Sequence, residues 1–173
     1  ISEKYSNVIM QQLPQEFEYS VLQKLVHDIL NDPTIKQSRK TALQQMVWLS
    51  DSFYDIQFKH DSDITERVIF PISESESRGI EDARFVRFID DDNSERIMAT
   101  YTAYDGHVIL PKLISTEDFY SFRVMPLSGT GATNKNLALF PRKINGKYAM
   151  LSRIDGVNNY LMLSSRPTQW NNP

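Results

Sequence analysis

Side chains able to do chemistry are densest where the chain reads Ser77-Arg78-Gly79-Ile80-Glu81-Asp82-Ala83-Arg84-Phe85-Val86-Arg87-Phe88. Two carboxylates, Glu81 and Asp82, lie among three arginines there, and an apolar run suited to burial in a sheet begins at Phe85. Gly79 allows backbone angles that a Cβ would forbid. Charge at the mouth of a buried strand is one way to hold a polar site on a rigid element. The competing reading is a solvated turn whose Glu81, Asp82, Arg84 and Arg87 pair loosely, since surface ion pairs contribute only about 0–1 kcal/mol.

Other chemistries are excluded or weakened by what the chain carries. It has no cysteine, so disulfides, thiol chemistry and cysteine-based metal sites are absent. Its three histidines include no pair at i, i+4, which argues against a zinc site. His27 reads as a surface or structural histidine and Trp48 as packing, whereas His107, just after Asp105-Gly106, could be a base poised by a carboxylate. Asp90-Asp91-Asp92 has the carboxylates for a hard cation but lacks the spacing of a calcium loop, so a solvated hairpin tip is favoured. Gly129-Thr130-Gly131 is too short a pattern for a nucleotide loop, and no Gly-x-Ser-x-Gly elbow is present.

The elements that must position these groups fall into two parts. Residues 1–60 read as a helical segment and residues 61–173 as a β domain. Phe17, Val21, Leu22, Leu25, Val26, Ile29 and Leu30 recur at helical spacing, with Pro14 placed in the first turn. Asp32-Pro33 supplies a start signal for a second helix, whose apolar set runs through Ala42, Leu43, Met46, Val47, Leu49, Phe53, Tyr54 and Ile56. Strands are then expected at 68–72, 83–89, 96–104, 108–114, 120–125, 137–144, 147–153 and 159–164, with hairpin turns at 90–94 and at Asn145-Gly146. They group as two successive sets of about four antiparallel strands, 83–125 and 137–170, the pattern of propeller blades in series.

Four segments, 77–88, 99–106, 134–148 and 150–153, resemble in order and spacing glycoside hydrolase family 130, the β-mannoside phosphorylases and related mannosidases. The resemblance covers about residues 77–170 and implies part of a five-bladed β-propeller, with strands for about two to three blades. The chain is accordingly expected to be a fragment of a longer enzyme, or to find its remaining blades elsewhere. The motif Gly79-Ile80-Glu81-Asp82-Ala83-Arg84 places the family's general acid at Asp82, acting through the mannose 3-hydroxyl, with Ala83 where proline is usual. Glu81, Arg84, Tyr104 and Asp105 are implied as substrate-binding residues. Lys135, Lys143 and Arg153 are implied as ligands of inorganic phosphate, although Ser152 stands where the phosphorylases tend to carry histidine. The implied activity is inverting cleavage of β-mannosides or related glycosides by phosphorolysis or hydrolysis, with Asp155 available as a base for water. The alternative is a sugar-binding or interaction module without catalysis.

The partner expectations follow. A net charge of −3 gives no electrostatic reason for nucleic acid or an anionic membrane, and no apolar run approaches the ~18 residues that span a bilayer. The expected partner is an oligosaccharide or glycoside, with no metal and no cofactor other than inorganic phosphate as co-substrate. A cytoplasmic location is expected. The helical segment is a candidate dimerisation element, which would make the protein a homo-oligomer.

Overall fold

A computed structural model describes residue 7 and residues 9–171. The chain forms two compact units, Ile1–Asp51 and Ser52–Pro173.

In the first unit helix α1 spans Tyr19–Leu30 and helix α2 spans Gln37–Asp51. Leu22 and Val26 of α1 are buried against Ile9 and Leu43, with Leu25, Ile29, Leu30, Met46 and Val47 around them. The expected stripe is therefore the packed one, except that Phe17 precedes the helix and Val21 faces solvent. Pro14 also lies before α1 rather than in its first turn. His27 is exposed and sits 3.0 Å from the Asn31 amide at the helix end. The second helix starts later than Asp32-Pro33 suggests. The Asp32 carboxylate accepts both the N–H and the hydroxyl of Thr34, closing a local turn instead of capping a helix.

The second unit is built on two antiparallel sheets. The first contains β1 (Tyr54–Gln57), β2 (Ile80–Ile89), β3 (Glu95–Tyr104), β4 (Ile109–Thr116) and β5 (Ser121–Pro126), in the order β1-β5-β4-β3-β2. The second contains β6 (Ala138–Leu139), β7 (Tyr148–Ser152) and β8 (Tyr160–Ser164). Phe88, Met98 and Leu113 of the larger sheet share one buried cluster with Leu139, Met150 and Met162 of the smaller, closed off by Trp170. The core thus lies between the two sheets.

Several expectations are corrected here. Tyr54 and Ile56 are not helical: they alternate with exposed neighbours and pair with Val124 and Phe122 as a fifth strand. Residues 68–72 form no strand. Pro71 interrupts the run, and the N–H groups of Ile72 and Ser73 donate to the Glu76 carboxylate rather than to a ladder. The second set has three strands rather than four, and β6 is only two residues long because Pro141 lacks the N–H to extend it.

The meander of 83–125 and both hairpin turns are as read from the sequence. Asn145 and Gly146 have φ of 52° and 71°, the two positive angles of a type I′ turn, and the Ile144 and Lys147 backbones exchange hydrogen bonds across it. A Cβ on Gly129 would overlap the Trp170 carbonyl, and one on Gly131 would overlap Met162 Sδ. These glycines let the chain end approach the join between the sheets, where Gly131 N donates to Trp170 O at 2.8 Å. The described residues form two sheets and no closed ring of blades.

Candidate functional site

The polar stretch at the start of β2 is shaped by an irregularity in the ladder. Glu81 pairs with Thr102, but Arg84 pairs with Thr100, so two residues on β2 oppose the single Tyr101 on β3. This is a β-bulge, a device that re-aims side chains and is frequent beside active sites. Asp82 lies in it with φ 58°, a left-handed conformation that aspartate tolerates better than most residues. Its side chain is exposed.

Beside the bulge is a cleft of about 410 Å³ lined by Arg78, Gly79, Ile80, Glu81, Thr102, Tyr104, Ile109 and Lys135. Its floor is the junction of β2 with the end of β3: Arg78 N donates to Tyr104 O at 2.9 Å, and Tyr104 N to Gly79 O at 3.1 Å. Its wall is the 134–136 loop, brought across some fifty residues of sequence by two contacts. Lys135 Nζ is 3.0 Å from Glu81 Oε1, and Arg84 Nη2 donates to Asn136 Oδ1 at 3.0 Å. The hydrogen bond to Glu81 raises the Lys135 pKa, and the Asp82 charge adds a smaller push in the same direction. The 134–136 loop is in turn tied to Arg153, whose carbonyl accepts from Asn134 Nδ2 at 3.1 Å.

The predicted residues therefore separate. Glu81, Tyr104 and Lys135 line the cleft, with Asp82 in the bulge and Arg84 on Asn136 beside it. Asp105 does not present its carboxylate to a ligand through Oδ1, which accepts the backbone N–H groups of His107 and Val108, both at 2.7 Å. Burial works to raise its pKa, but these two bonds prevail and lower it. Lys143 is elsewhere: it lies 2.6 Å from Asp90 and 3.4 Å from Asp91 at the far end of β2, with the Tyr148 ring nearby. The 90–94 loop is accordingly a hairpin tip closed by a lysine. No group of three or more His, Cys, Asp or Glu side chains able to hold a metal occurs among the described residues.

Arg153 turns back onto its own loop, donating to the Gly156 carbonyl at 2.6 Å. Ser152 is buried, and its hydroxyl has no partner among the described residues. Asp155 is a poor base. Its carboxylate accepts from the backbone N–H groups of Val157 and Asn158, the Asn158 amide and the Tyr160 hydroxyl, and these donors drive its pKa far below the usual carboxylate range.

A second ionic group escaped the sequence reading. Glu76 and Lys112 are both fully buried, with Nζ 2.9 Å from Oε1. Tyr101 and Tyr54 donate to the same carboxylate at 2.7 and 2.9 Å, and Lys112 also donates to Ser73 Oγ at 2.7 Å. Burial alone would raise the Glu76 pKa; donors from Ile72 N–H, Lys112 and Tyr101 overcome it and hold the carboxyl at about 2. Burial and the adjacent carboxylate push Tyr101 far above the ordinary phenol range. The legible signal was a lysine in the middle of the apolar run Ile109-Leu110-Pro111-Lys112-Leu113-Ile114.

A family model described as beta-1,4-mannooligosaccharide phosphorylase, that of glycoside hydrolase family 130, matches residues 36–173. The chain belongs to glycoside hydrolase family 130. The resemblance carried by the ordered motifs is thereby borne out, and the family match begins earlier than those motifs, at Lys36, one residue before α2. No curated protein matches the chain. A solved structure of a β-1,2-mannobiose phosphorylase from Listeria innocua, in complex with β-1,2-mannobiose, is similar at 24% identity with a TM-score of 0.47. That similarity covers 60% of this chain and 29% of the other, so the chain spans less than a third of that enzyme's length. No helix among the described residues is long and apolar enough to cross a membrane.

Proposed function

We propose that this chain carries the acid-bearing part of a family 130 enzyme that cleaves β-mannosides or related glycosides with inversion. The observation that carries the reading is the bulged, left-handed Asp82 beside a cleft with a hydrogen-bonding wall and a tyrosine. A bulge costs ladder hydrogen bonds, and one that exposes a carboxylate next to a cleft suits a group that must meet a ligand. In this reading Asp82, in its acid form, passes a proton through the sugar's 3-hydroxyl to the leaving oxygen. A nucleophile attacks the anomeric carbon from the opposite face, and the glycosidic bond breaks. Glu81, Thr102 and Tyr104 contact sugar hydroxyls or a ring face, and the Glu81–Lys135 pair fixes the cleft wall.

Phosphorolysis, with inorganic phosphate as nucleophile, and hydrolysis are the two routes this reading allows; the Asp155 carboxylate, one candidate for activating water, is occupied by four donors within its own loop. The propeller architecture and the need for further blades belong to the same proposal, because the described residues supply two sheets.

The test is product analysis on β-mannobiosides with and without orthophosphate. Sugar 1-phosphate that appears only with phosphate is the expected product, and Asp82→Asn is expected to lower turnover about 10²–10⁴-fold. Free mannose formed independently of phosphate would replace phosphorolysis with hydrolysis. Turnover unaffected by Asp82→Asn would remove the acid assignment.

A further inference from the structure

The cations around the cleft differ in whether they are already engaged. Lys135 is held by Glu81, Arg84 by the Asn136 amide and Arg153 by the Gly156 carbonyl. Arg78 lines the cleft and is exposed, yet among the described residues its guanidinium has no ion-pair or hydrogen-bond partner. No ion pair joins it to Glu81 or Asp82, the carboxylates that follow it in the chain.

Its backbone is nevertheless firmly placed. Arg78 N donates to Tyr104 O at 2.9 Å, and the next residue, Gly79, donates to Glu76 O at 2.8 Å, directly beside the buried Glu76–Lys112 pair. The stem lies across the β3–β4 turn over Gly106, where an added Cβ would come 3.4 Å from Arg78 Cγ and 3.7 Å from Nε. Gly106 itself has φ +100°, so the turn favours glycine, and the arginine stem lies within ordinary van der Waals reach of it.

We propose that Arg78 is the oxyanion-contacting residue of the cleft. The ligand group it faces is a carboxylate or a phosphate, borne by an acidic sugar or supplied as free orthophosphate. A guanidinium fork held on a fixed backbone with no counter-ion matches the planar, two-oxygen face of either group, and Thr102 lines the same cleft, whereas the Tyr104 hydroxyl is already committed as a donor to Gly106 O at 2.7 Å. Lys143 and Arg153, the cations that the motifs put forward, lack this freedom because their charges are already turned to Asp90 and to a backbone carbonyl. The proposal deepens the carbohydrate reading above and rests on it.

The test is titration calorimetry on the full chain with orthophosphate, glucuronate and a neutral methyl β-mannobioside as separate probes. The wild-type chain is expected to bind at least one of the two anions. Arg78→Gln is expected to weaken that anion at least tenfold, Arg78→Lys to recover part of the loss, and Lys143→Gln to change it less than twofold. Binding of orthophosphate identifies a free co-substrate, and binding of glucuronate identifies an acidic sugar.

An unchanged anion affinity in a folded Arg78→Gln variant overturns the proposal, as does a wild-type chain that binds neither anion. If the neutral mannobioside binds while both anions fail, only the Arg78 assignment falls. If the anion binds through Arg78 while the neutral sugar fails, the carbohydrate reading falls instead.

Discussion

Two ionic groups lie on neighbouring parts of the larger sheet, and they are built in opposite ways. At Glu76 and Lys112 both charges are fully buried and the carboxylate is ringed by tyrosine hydroxyls and backbone N–H groups. At Glu81 and Lys135 the side chains are 56% and 45% exposed, the strand is bulged, and a free carboxylate and a free arginine stand alongside. The first arrangement leaves nothing for a ligand to bind, whereas the second keeps polar groups at the surface of a cleft. Burial thus separates a structural ion pair from a candidate site made of the same residue types. The two are also connected, since residues 76–79 run from the buried carboxylate directly to the cleft floor.

The largest effect expected from this contrast is in stability. Lys112→Met removes one partner of the buried pair and leaves Glu76 as an uncompensated charge, which costs about 3–5 kcal/mol. A urea midpoint that falls by that amount, and that partly recovers when Glu76→Gln is added, would support the contrast. A shift below about 1 kcal/mol would show that the pair is solvated and the contrast false.

Acid provides the next test. The folded Glu76 carboxyl lies at about 2 against an ordinary 4.5, so its contribution is fully present above pH 4.5 and is lost as the pH falls toward 2. The gap corresponds to about 3 kcal/mol. Thermal midpoints measured from pH 6 down to pH 2 should fall across that window, and the fall should be shallower in Glu76→Gln.

The smallest effect belongs to the exposed pair. Lys135→Gln should change stability by less than about 1 kcal/mol, because solvent screens both charges. It should act instead on ligand affinity, by releasing the 134–136 loop. A large loss of stability in this variant would mean that the cleft wall is structural after all.

Much of the fold was legible from local pattern. The meander of 83–125 reads as successive apolar and β-branched runs, with β3 and β4 buried along most of their length, its turns carry Asn93 and Gly106 at positive φ, and the stripe on α1 follows the helical period. The misassigned segments were those where a distant partner decided the outcome. Tyr54 and Ile56 suit either a helix or a strand until Val124 and Phe122 are present to pair with them. Residues 68–72 have the composition of a strand, but Pro71 interrupts them and the N–H groups of Ile72 and of Ser73 after it are captured by Glu76. At the candidate site, the motif residues Glu81 and Lys135 meet across the cleft with Asp82 beside them, whereas Lys143, equally plausible by type, pairs with Asp90. Arg78 stands in the same charged stretch, and its unpaired state is a matter of tertiary contacts rather than of the motif.

The amino-acid sequence by itself determined the hairpin turns, the strand runs of the meander, the bulge-tolerant residues at 79–84 and membership of the family, because each depends on residue type over a short window. Only the tertiary structure decided which charges are buried, which are paired and which stay free. Glu76 meets Lys112, and Glu81 meets Lys135, through strand register and loop closure across 36 and 54 residues. Pairing at such separations depends on how the sheets pack, and packing is a property of the whole unit rather than of any segment.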